Sequence, residues 1–535
     1  MSTDDAVRRL LRDALEVYGE DPEAAALLRG YTERLDGPLR VAVAGMVKAG
    51  KSTLLNAVLG EELAPTDTGE CTRVVTWYRH GPVPRVTLHP VAGEPRQLPV
   101  RRVDGRLRLD LGGLPAEAVA RLVVDWPTTS LRELTLIDTP GIASLSTDVS
   151  ARATAFLTPD DAPSEADAVV YLLRHLHGSD IHFLESFRDA AAGRSGTVNA
   201  LAVLSRADEV GAGRLDTMVS AWDVAARYRE DPVLRRLALA VVPVAGLLAQ
   251  SARTLRQAEF SALRALAGLP REERERLLLS ADRFAHAAGA PVDPEVRAAL
   301  LERFGMFGLR LAMVLIRSGI DDPTELARDL ARRSGLGELQ RLLDGQFQAR
   351  AAQLKARTTL VGLEALLRER PRAGAERLAA EVERVQAGAH EFRELRLLAA
   401  ARTSGLPVPA ALGAEAERLV GGAGVGAARR LGLADDAAPA DVREHALAAL
   451  RRWRTLAASP LTDRATAAVC EVVARSCEGL VAAAGGVERQ RLVLRAEPAG
   501  RGRPAGARTA DTAAGPVTPG TPAPRGTSAS PRARG

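Results

Sequence analysis

The sequence predicts an α/β domain with a doubly wound, mainly parallel sheet, joined to a large all-α bundle. Three observations carry the prediction. From about residue 39 to 250, short apolar runs alternate with helical stretches: LRVAVAG, RVVTWY, ELTLID, AVVYLL, NALAVLS and LALAVVPV. Such alternation folds as a sheet covered by helices on both faces. From 251 to 495 the strand pattern disappears and helical periodicity takes over. The composition, rich in Ala, Leu, Arg and Glu with only 3% aromatics, suits long helices.

Residues 4 to 35 read as two short helices, with Val7, Leu10, Leu11 and Leu15 on one apolar face and Ala26, Leu27, Tyr31 and Leu35 on another. They precede the first strand, so residues 1–38 are assigned to the helical neck, 39–250 to the α/β domain and 251–495 to neck and trunk. In the last of these, Phe347, Ala351, Leu354, Thr358, Val361 and Ala365 trace a stripe close to a coiled-coil seam. Breaks near Pro270, Pro291, Pro323, Pro371, Pro407 and Pro439 divide it into several helices. Residues 496–535 hold seven prolines, seven glycines and Val517 as the only large aliphatic side chain, which predicts a disordered basic tail.

The bulk numbers bound the function. At 535 residues the chain has room for several domains. Of the net charge of +5, six arginines against Glu497 and Asp511 place +4 in the tail, leaving a nearly neutral body. That argues against a nucleic-acid-binding face. Cys71, Cys470 and Cys477 form neither a disulfide framework nor a CxxC metal spacing and read as small core residues in a reducing cytosol. The first twenty residues have no uncharged apolar segment, and no window approaches 18 apolar residues, so a membrane role would be peripheral.

Only three lysines stand against sixty-nine arginines, and two of them, Lys48 and Lys51, lie in GMVKAGKS. Gly45, Gly50, Lys51 and Ser52 complete GxxxxGKS between a strand and a helical stretch, the context of a P-loop. Backbone N–H groups of Lys48, Ala49, Gly50, Lys51, Ser52 and Thr53 would cradle phosphates, with Lys51 at the β and γ phosphates and Ser52 on Mg²⁺. A compact ammonium fits there and a planar guanidinium does not. In DTPG, Asp138 would hold Mg²⁺ through water and Gly141 would offer its N–H to the γ-phosphate. In SRAD, Asp208 would accept from guanine N1–H and N2–H₂, selecting GTP over ATP, while Ser205 and the Arg206 stem bound the base. Ala245 and Gly246 would complete the guanine site. Between the first two motifs, Thr72 is placed to close over Mg²⁺ as a switch residue, with Thr66 and Thr68 as alternatives.

With these four motifs in order and helical regions on both sides, the chain resembles the dynamin superfamily. KAGKSTLLNAVLG, APTDTGECTRVVTWYRHGP, SRADEVGAGR, RTLRQAEFSALRALAG and ERFGMFGLR are similar more narrowly to the mycobacterial isoniazid-induced dynamin-like proteins and their actinobacterial relatives, over about residues 5 to 485. The resemblance implies an α/β P-loop GTPase domain with a helical neck and trunk, using GTP and Mg²⁺ at an anionic membrane surface on the cytoplasmic side. It also implies heads that pair across their nucleotide faces, as a homo-oligomer or with a second dynamin-like protein, and a trunk tip that touches lipid. One departure stands out. Where eukaryotic dynamins carry Gln and Ser, this chain has Val47 and Lys48; valine cannot orient water, whereas Lys48 stands where guanylate-binding proteins place an arginine finger, so Lys48 would neutralise developing phosphate charge.

The leading reading is a membrane-associated GTPase; the competing one is a weakly active GTP-binding scaffold for a related partner. A ribosome-assembly GTPase fits the near-neutral body poorly. His175, His177 and His182 read as a structural or head-pairing loop, and the apolar run Phe304–Ile316 as trunk core in preference to a lipid-inserting patch. GLPVPAALG at 405–413 is the preferred membrane-tip candidate, and the tail is either an anionic-lipid contact or merely solvated.

Overall fold

The computed structural model describes residues 3–66, 73–103, 105–141, 164–187, 198–211 and 213–496, with side chains through 485. The predicted tail from residue 497 on and Cys71 lie outside them. Residues 1–486 form one compact unit and 487–535 a second.

Eleven strands are described: β1 Leu39–Gly45, β2 Thr76–His80, β3 Arg85–Pro90, β4 Arg96–Leu98, β5 Arg101–Val103, β6 Arg106–Arg108, β7 Val119–Trp126, β8 Leu134–Asp138, β9 Ala168–Leu173, β10 Ala200–Ser205 and β11 Val241–Val244. The main sheet runs β11-β10-β9-β1-β8-β2-β7-β3-β4, and β5 and β6 make a separate hairpin. From β11 to β8 every pairing is parallel, and these strands are buried almost throughout, which is why they read as apolar runs. β2 then pairs antiparallel with β8 and parallel with β7, and β3 and β4 continue antiparallel.

Strands β3 to β7 are not among the predicted apolar runs. The exposed arginines of β4 and β5 and the charged Arg121 and Asp125 within β7 interrupt the pattern, because this end of the sheet is covered only in part.

The two N-terminal helices, Thr3–Tyr18 and Pro22–Asp36, pack on the helices Ala351–Glu369 and Ala375–Gly388. The second turns Ala24, Ala25, Leu28, Tyr31 and Leu35 inward, whereas Ala26 and Leu27 point to solvent, so the buried face is rotated from the expected one. The stripe expected along 347–365 is shifted likewise: Leu360, Leu363, Leu366 and Leu367 are buried, while Thr358, Val361 and Ala365 are half-buried. This helix is covered on more than one side, so a broad face replaces a two-helix seam. Prolines 323 and 439 open helices at their first turn, where a missing N–H costs nothing.

The third lysine now has a role. Lys355 Nζ donates to Leu35 O at 2.7 Å and Gly37 O at 2.8 Å, tying the helical region to the chain just before β1. Beside it, Arg34 donates through Nε to Asp167 Oδ1 at 2.8 Å and through Nη1 to Ser164 O at 2.9 Å, while Asp167 Oδ2 accepts from Arg40 N at 2.9 Å. The side chains of Arg34 and Asp167 are 4% and 0% exposed. A buried pair is worth little against an apolar substitute for both partners, but removing one leaves the other charge stranded. Arg34→Met is therefore expected to destabilise the chain by about 3 kcal/mol, read as a lower urea midpoint; an unchanged midpoint would contradict the assignment.

Candidate functional site

β1 ends in a loop that only glycine can enter and leave. Gly45 has φ 148, and a Cβ there would stand 2.5 Å from Leu172 O on the paired strand β9; Gly50 has φ 93 and caps the helix Lys51–Leu59. Between them Lys48 adopts φ 62 with an exposed side chain, and among the described residues it shares a positive φ only with Arg206 among non-glycines. Lys51 Nζ curls back over the loop and donates to Gly45 O at 3.2 Å and Met46 O at 3.3 Å. Burial holds the Lys51 ammonium below its ordinary pKa, and Asp138 partly offsets this.

Asp138 ends β8 opposite Val43. Its Oδ2 accepts from Ser52 Oγ at 3.2 Å, so the predicted metal pair is adjacent: one hydroxyl and one carboxylate, the hard oxygen donors that Mg²⁺ takes. Burial pushes the Asp138 carboxyl up to about 6, against the opposing effects of Lys51 and Ser52. Three residues on, Gly141 lies against Val47, where a Cβ would come within 2.6 Å of Val47 Cγ2 and 3.0 Å of its Cα. Thr72 and its alternative Thr68 fall outside the described residues; Thr66 is exposed.

The residues predicted for the guanine side gather at the ends of β10 and β11. A cavity of about 110 Å³ is lined by Ala49, Gly50 and Thr53 from the P-loop and by Ser205, Arg206, Asp208 and Gly246 from the other motifs. Ser205 Oγ donates to Leu173 O at 3.1 Å, locking β10 to β9. Arg206, at φ 50, donates to Lys48 O at 3.0 Å and to Glu209 Oε1 at 2.7 Å, so the guanidinium ties the SRAD segment to the P-loop. Burial raises the Asp208 carboxyl pKa. A Cβ on Gly246 would lie 3.4 Å from Thr53 Cγ2, which shows how closely the two loops approach.

His175, His177 and His182 have exposed side chains. Asp180 accepts from His177 N at 2.9 Å and from the Tyr171 hydroxyl at 2.7 Å, fastening the start of the helix Gly178–Ser186 to β9.

Sequence reading missed a layer behind the nucleotide motifs. Arg303, on the helix Pro294–Arg317, donates to Glu62 Oε1, to Thr254 O at 3.0 Å and Thr254 Oγ1 at 2.9 Å, and pairs with Glu259. Glu62 also accepts from Gln250 Nε2 and Arg106 Nε. This buried network joins the end of the P-loop helix, three residues before Pro65, to the helical region. The available signal was Gly305 in ERFGMFGLR, a glycine inside a helical pattern.

A glycine-rich loop at the carboxyl edge of a parallel sheet, with a carboxylate on the next strand, defines a P-loop domain. Residues 41–106 match the model of the Dynamin family. Over 489 residues the chain is 43% identical to the isoniazid-induced protein IniC of Mycobacterium tuberculosis, covering 90% of this chain and 99% of that protein. It belongs to the IniC family of bacterial dynamin-like proteins. The bacterial dynamin-like protein of Nostoc punctiforme is 37% identical over 121 residues, 20% of this chain and 17% of that protein. The isoniazid-induced protein IniA of Mycobacterium tuberculosis is 34% identical over 152 residues, 27% and 22% of the respective chains. A solved structure of an oligomerised bacterial dynamin pair overlays 92% of this chain and 77% of its own at 12% identity and a TM-score of 0.31; the family assignment rests on the sequence match.

The raised Asp138 pKa has a definite sign. The carboxyl is neutral in both states below about pH 4, and the unfolded chain ionises first as pH rises. The folded chain without nucleotide therefore loses stability between about pH 4 and 6 and stays lower above that. Asp138→Asn is expected to stabilise it at pH 7.5 by roughly 3 kcal/mol, with the gain vanishing below about pH 4. Thermal unfolding across that range checks both; a gain that persists at low pH would contradict the assignment.

Proposed function

We propose that the chain binds GTP with Mg²⁺ and hydrolyses it to GDP and phosphate, using the cycle for peripheral membrane association and remodelling through head-to-head assembly. The observation that carries this reading is the convergence of Ala49, Gly50, Thr53, Ser205, Arg206, Asp208 and Gly246 on one cavity beside Lys51 and the Ser52–Asp138 pair. In this reading residues 39–250 are the GTPase domain, 1–38 and 251–495 the neck and trunk, and 496–535 a basic tail.

The side chains divide the work. Lys51 exchanges its two carbonyl acceptors for phosphate oxygens, which favour the ammonium more strongly. Backbone N–H groups from Lys48 to Thr53 and the start of the helix Lys51–Leu59 hold the phosphates. Ser52 and Asp138, with Thr72, would hold Mg²⁺, which would supply neutralising charge to the phosphates. Gly141 offers its N–H to the γ-phosphate. Asp208 accepts from guanine N1–H and N2–H₂, and the backbone of Ala245 and Gly246 borders the base. Lys48 leans on the developing charge with its exposed ammonium.

The membrane contact is assigned to an exposed turn of the helical region. Leu406, Val408 and Leu412 of GLPVPAALG are half-buried against the core. The neighbouring turn between the helices Pro439–Ala457 and Arg464–Ala496 presents Leu461 at 95% exposure, and Thr466 Oγ1 donates to Pro407 O across the two segments. Among the described residues no helix is long and apolar enough to cross a membrane.

A second reading, a weakly active GTP-binding scaffold that assembles with another dynamin-like protein, is favoured by one observation: Val47 occupies the P-loop face against Gly141, and valine can neither orient nor activate water. GTP turnover with and without anionic vesicles separates the two. Turnover that rises on vesicles and disappears in Lys51→Ala supports the GTPase; GTP binding without turnover supports the scaffold.

Two variants probe the assignments further. Lys48→Ala is expected to lower kcat on the order of a hundredfold with GTP affinity nearly unchanged; a full rate would remove Lys48 from catalysis. Leu461→Asp is expected to weaken anionic-vesicle sedimentation about tenfold while basal turnover is retained, and undiminished sedimentation would move the contact elsewhere.

A further inference from the structure

The helix Pro294–Arg317 is broken in its middle. Gly305 has φ 60 and ψ 172, a backbone region open in practice only to glycine. The break is braced from both sides: Phe304 and Phe307 are buried, and Ser251 Oγ donates to Arg303 O. What the break faces is the guanine subsite. A Cβ on Gly305 would stand 3.7 Å from Asp208 Oδ2 and 3.8 Å from Leu247 Cδ1, and Leu247 lines the same cavity.

The same helix holds the loop that follows Asp208. Arg310 donates through Nη1 to Gly213 O at 2.6 Å and through Nη2 to Leu278 O at 2.8 Å. Gly213 lies so close that its Cβ would meet Phe307 N at 3.5 Å and Met306 Cβ at 3.7 Å. A second helical segment braces the end of β11 and the residue after it. Ala245 N donates to Ser334 O at 2.9 Å, and Gly335, at φ 83, lies where a Cβ would fall 2.0 Å from Pro243 O on β11.

We infer that the helical region, through the Gly305 break and Arg310, forms the outer wall of the guanine subsite and positions Asp208 for base discrimination. Gly305 and Arg310 are positioning residues; neither is assigned a contact with nucleotide. The inference rests on the GTP-binding reading above. Its physical basis is that an aspartate discriminates guanine only when both carboxylate oxygens are aligned, one for N1–H and one for the N2 amino group. Hypoxanthine keeps N1–H and lacks the amino group, so the preference for guanine over hypoxanthine measures that alignment. Straightening the helix at 305, or freeing the Gly213 loop, would let the carboxylate turn and would spare the N1–H bond more than the second one.

The test is calorimetric binding of GDP and IDP, with Mg²⁺, to the full chain and to Gly305→Ala and Arg310→Ala. The GDP-to-IDP affinity ratio is expected to fall about tenfold in each, the loss of one hydrogen bond to a charged group. A variant that is only less stable loses affinity for both nucleotides together and keeps the ratio. Ratios within twofold of the unaltered chain in both variants overturn the proposal, and if Gly305→Ala does not fold, Arg310→Ala decides alone. Asp208→Asn separates this from the parent reading. If it leaves the GDP preference intact, or the unaltered chain shows none, guanine recognition at Asp208 fails and the positioning role with it. If it abolishes the preference while the other two variants keep it, only the positioning role fails.

Discussion

The central strand β1 sets the geometry of everything else. It pairs in parallel with β8 on one flank and β9 on the other, in a register that puts Val43 beside Asp138 and Gly45 beside Leu172. Parallel strands leave their carboxyl ends on one edge, so the P-loop, the carboxylate of DTPG and, one strand further, the SRAD segment emerge together. The crevice outside those ends is where doubly wound sheets bind ligands. Shifting β1 by one residue would turn Ala42 and Ala44 to the other face and drive a different residue into Leu172 O, so the loop's conformation follows from the register.

Charge is used differently according to the shape of its carrier. Arginine, with its planar fork, appears in the buried clusters that hold layers together: Arg34 on Asp167, and Arg303 among Glu62, Glu259 and Thr254. Two of the three lysines sit where a compact ammonium caps two carbonyls, Lys51 over Gly45 and Met46 and Lys355 over Leu35 and Gly37. The site itself is built at a cost in stability. Asp138 is a buried carboxylate opposed by its own desolvation, and Lys48 and Arg206 hold left-handed backbone that disfavours side chains. Function at this edge is supported by the well-packed parallel strands beneath it.

The helical region does more than extend from the head. Through Lys355 it fastens the approach to β1, through Arg303 it reaches the end of the P-loop helix, and through Ser334 and Arg310 it holds the loops after β11 and β10. Each attachment involves a backbone carbonyl or a buried charge, which gives every contact a required direction. The N-terminal helices complete this body, with Tyr18 donating to Arg370 O and Asp21 accepting from Arg370.

What could be read in the sequence alone was whatever has a short period or a local grammar. The buried parallel strands, the P-loop, DTPG and SRAD each lie within a few consecutive residues, and the helix-breaking prolines announce themselves. Strands β3 to β7 were hidden because a partly exposed sheet end tolerates charges that erase the apolar run. The buried faces of the helices Pro22–Asp36 and Ala351–Glu369 were displaced from their expected positions because several neighbours, not one, choose which side is covered. The links from Arg303 to Glu62, 241 residues apart, and from Arg310 to Gly213, 97 apart, leave no mark in sequence spacing. Only the tertiary fold brings such pairs together, since a charged side chain finds its partner by where the backbones pack and not by its distance along the chain.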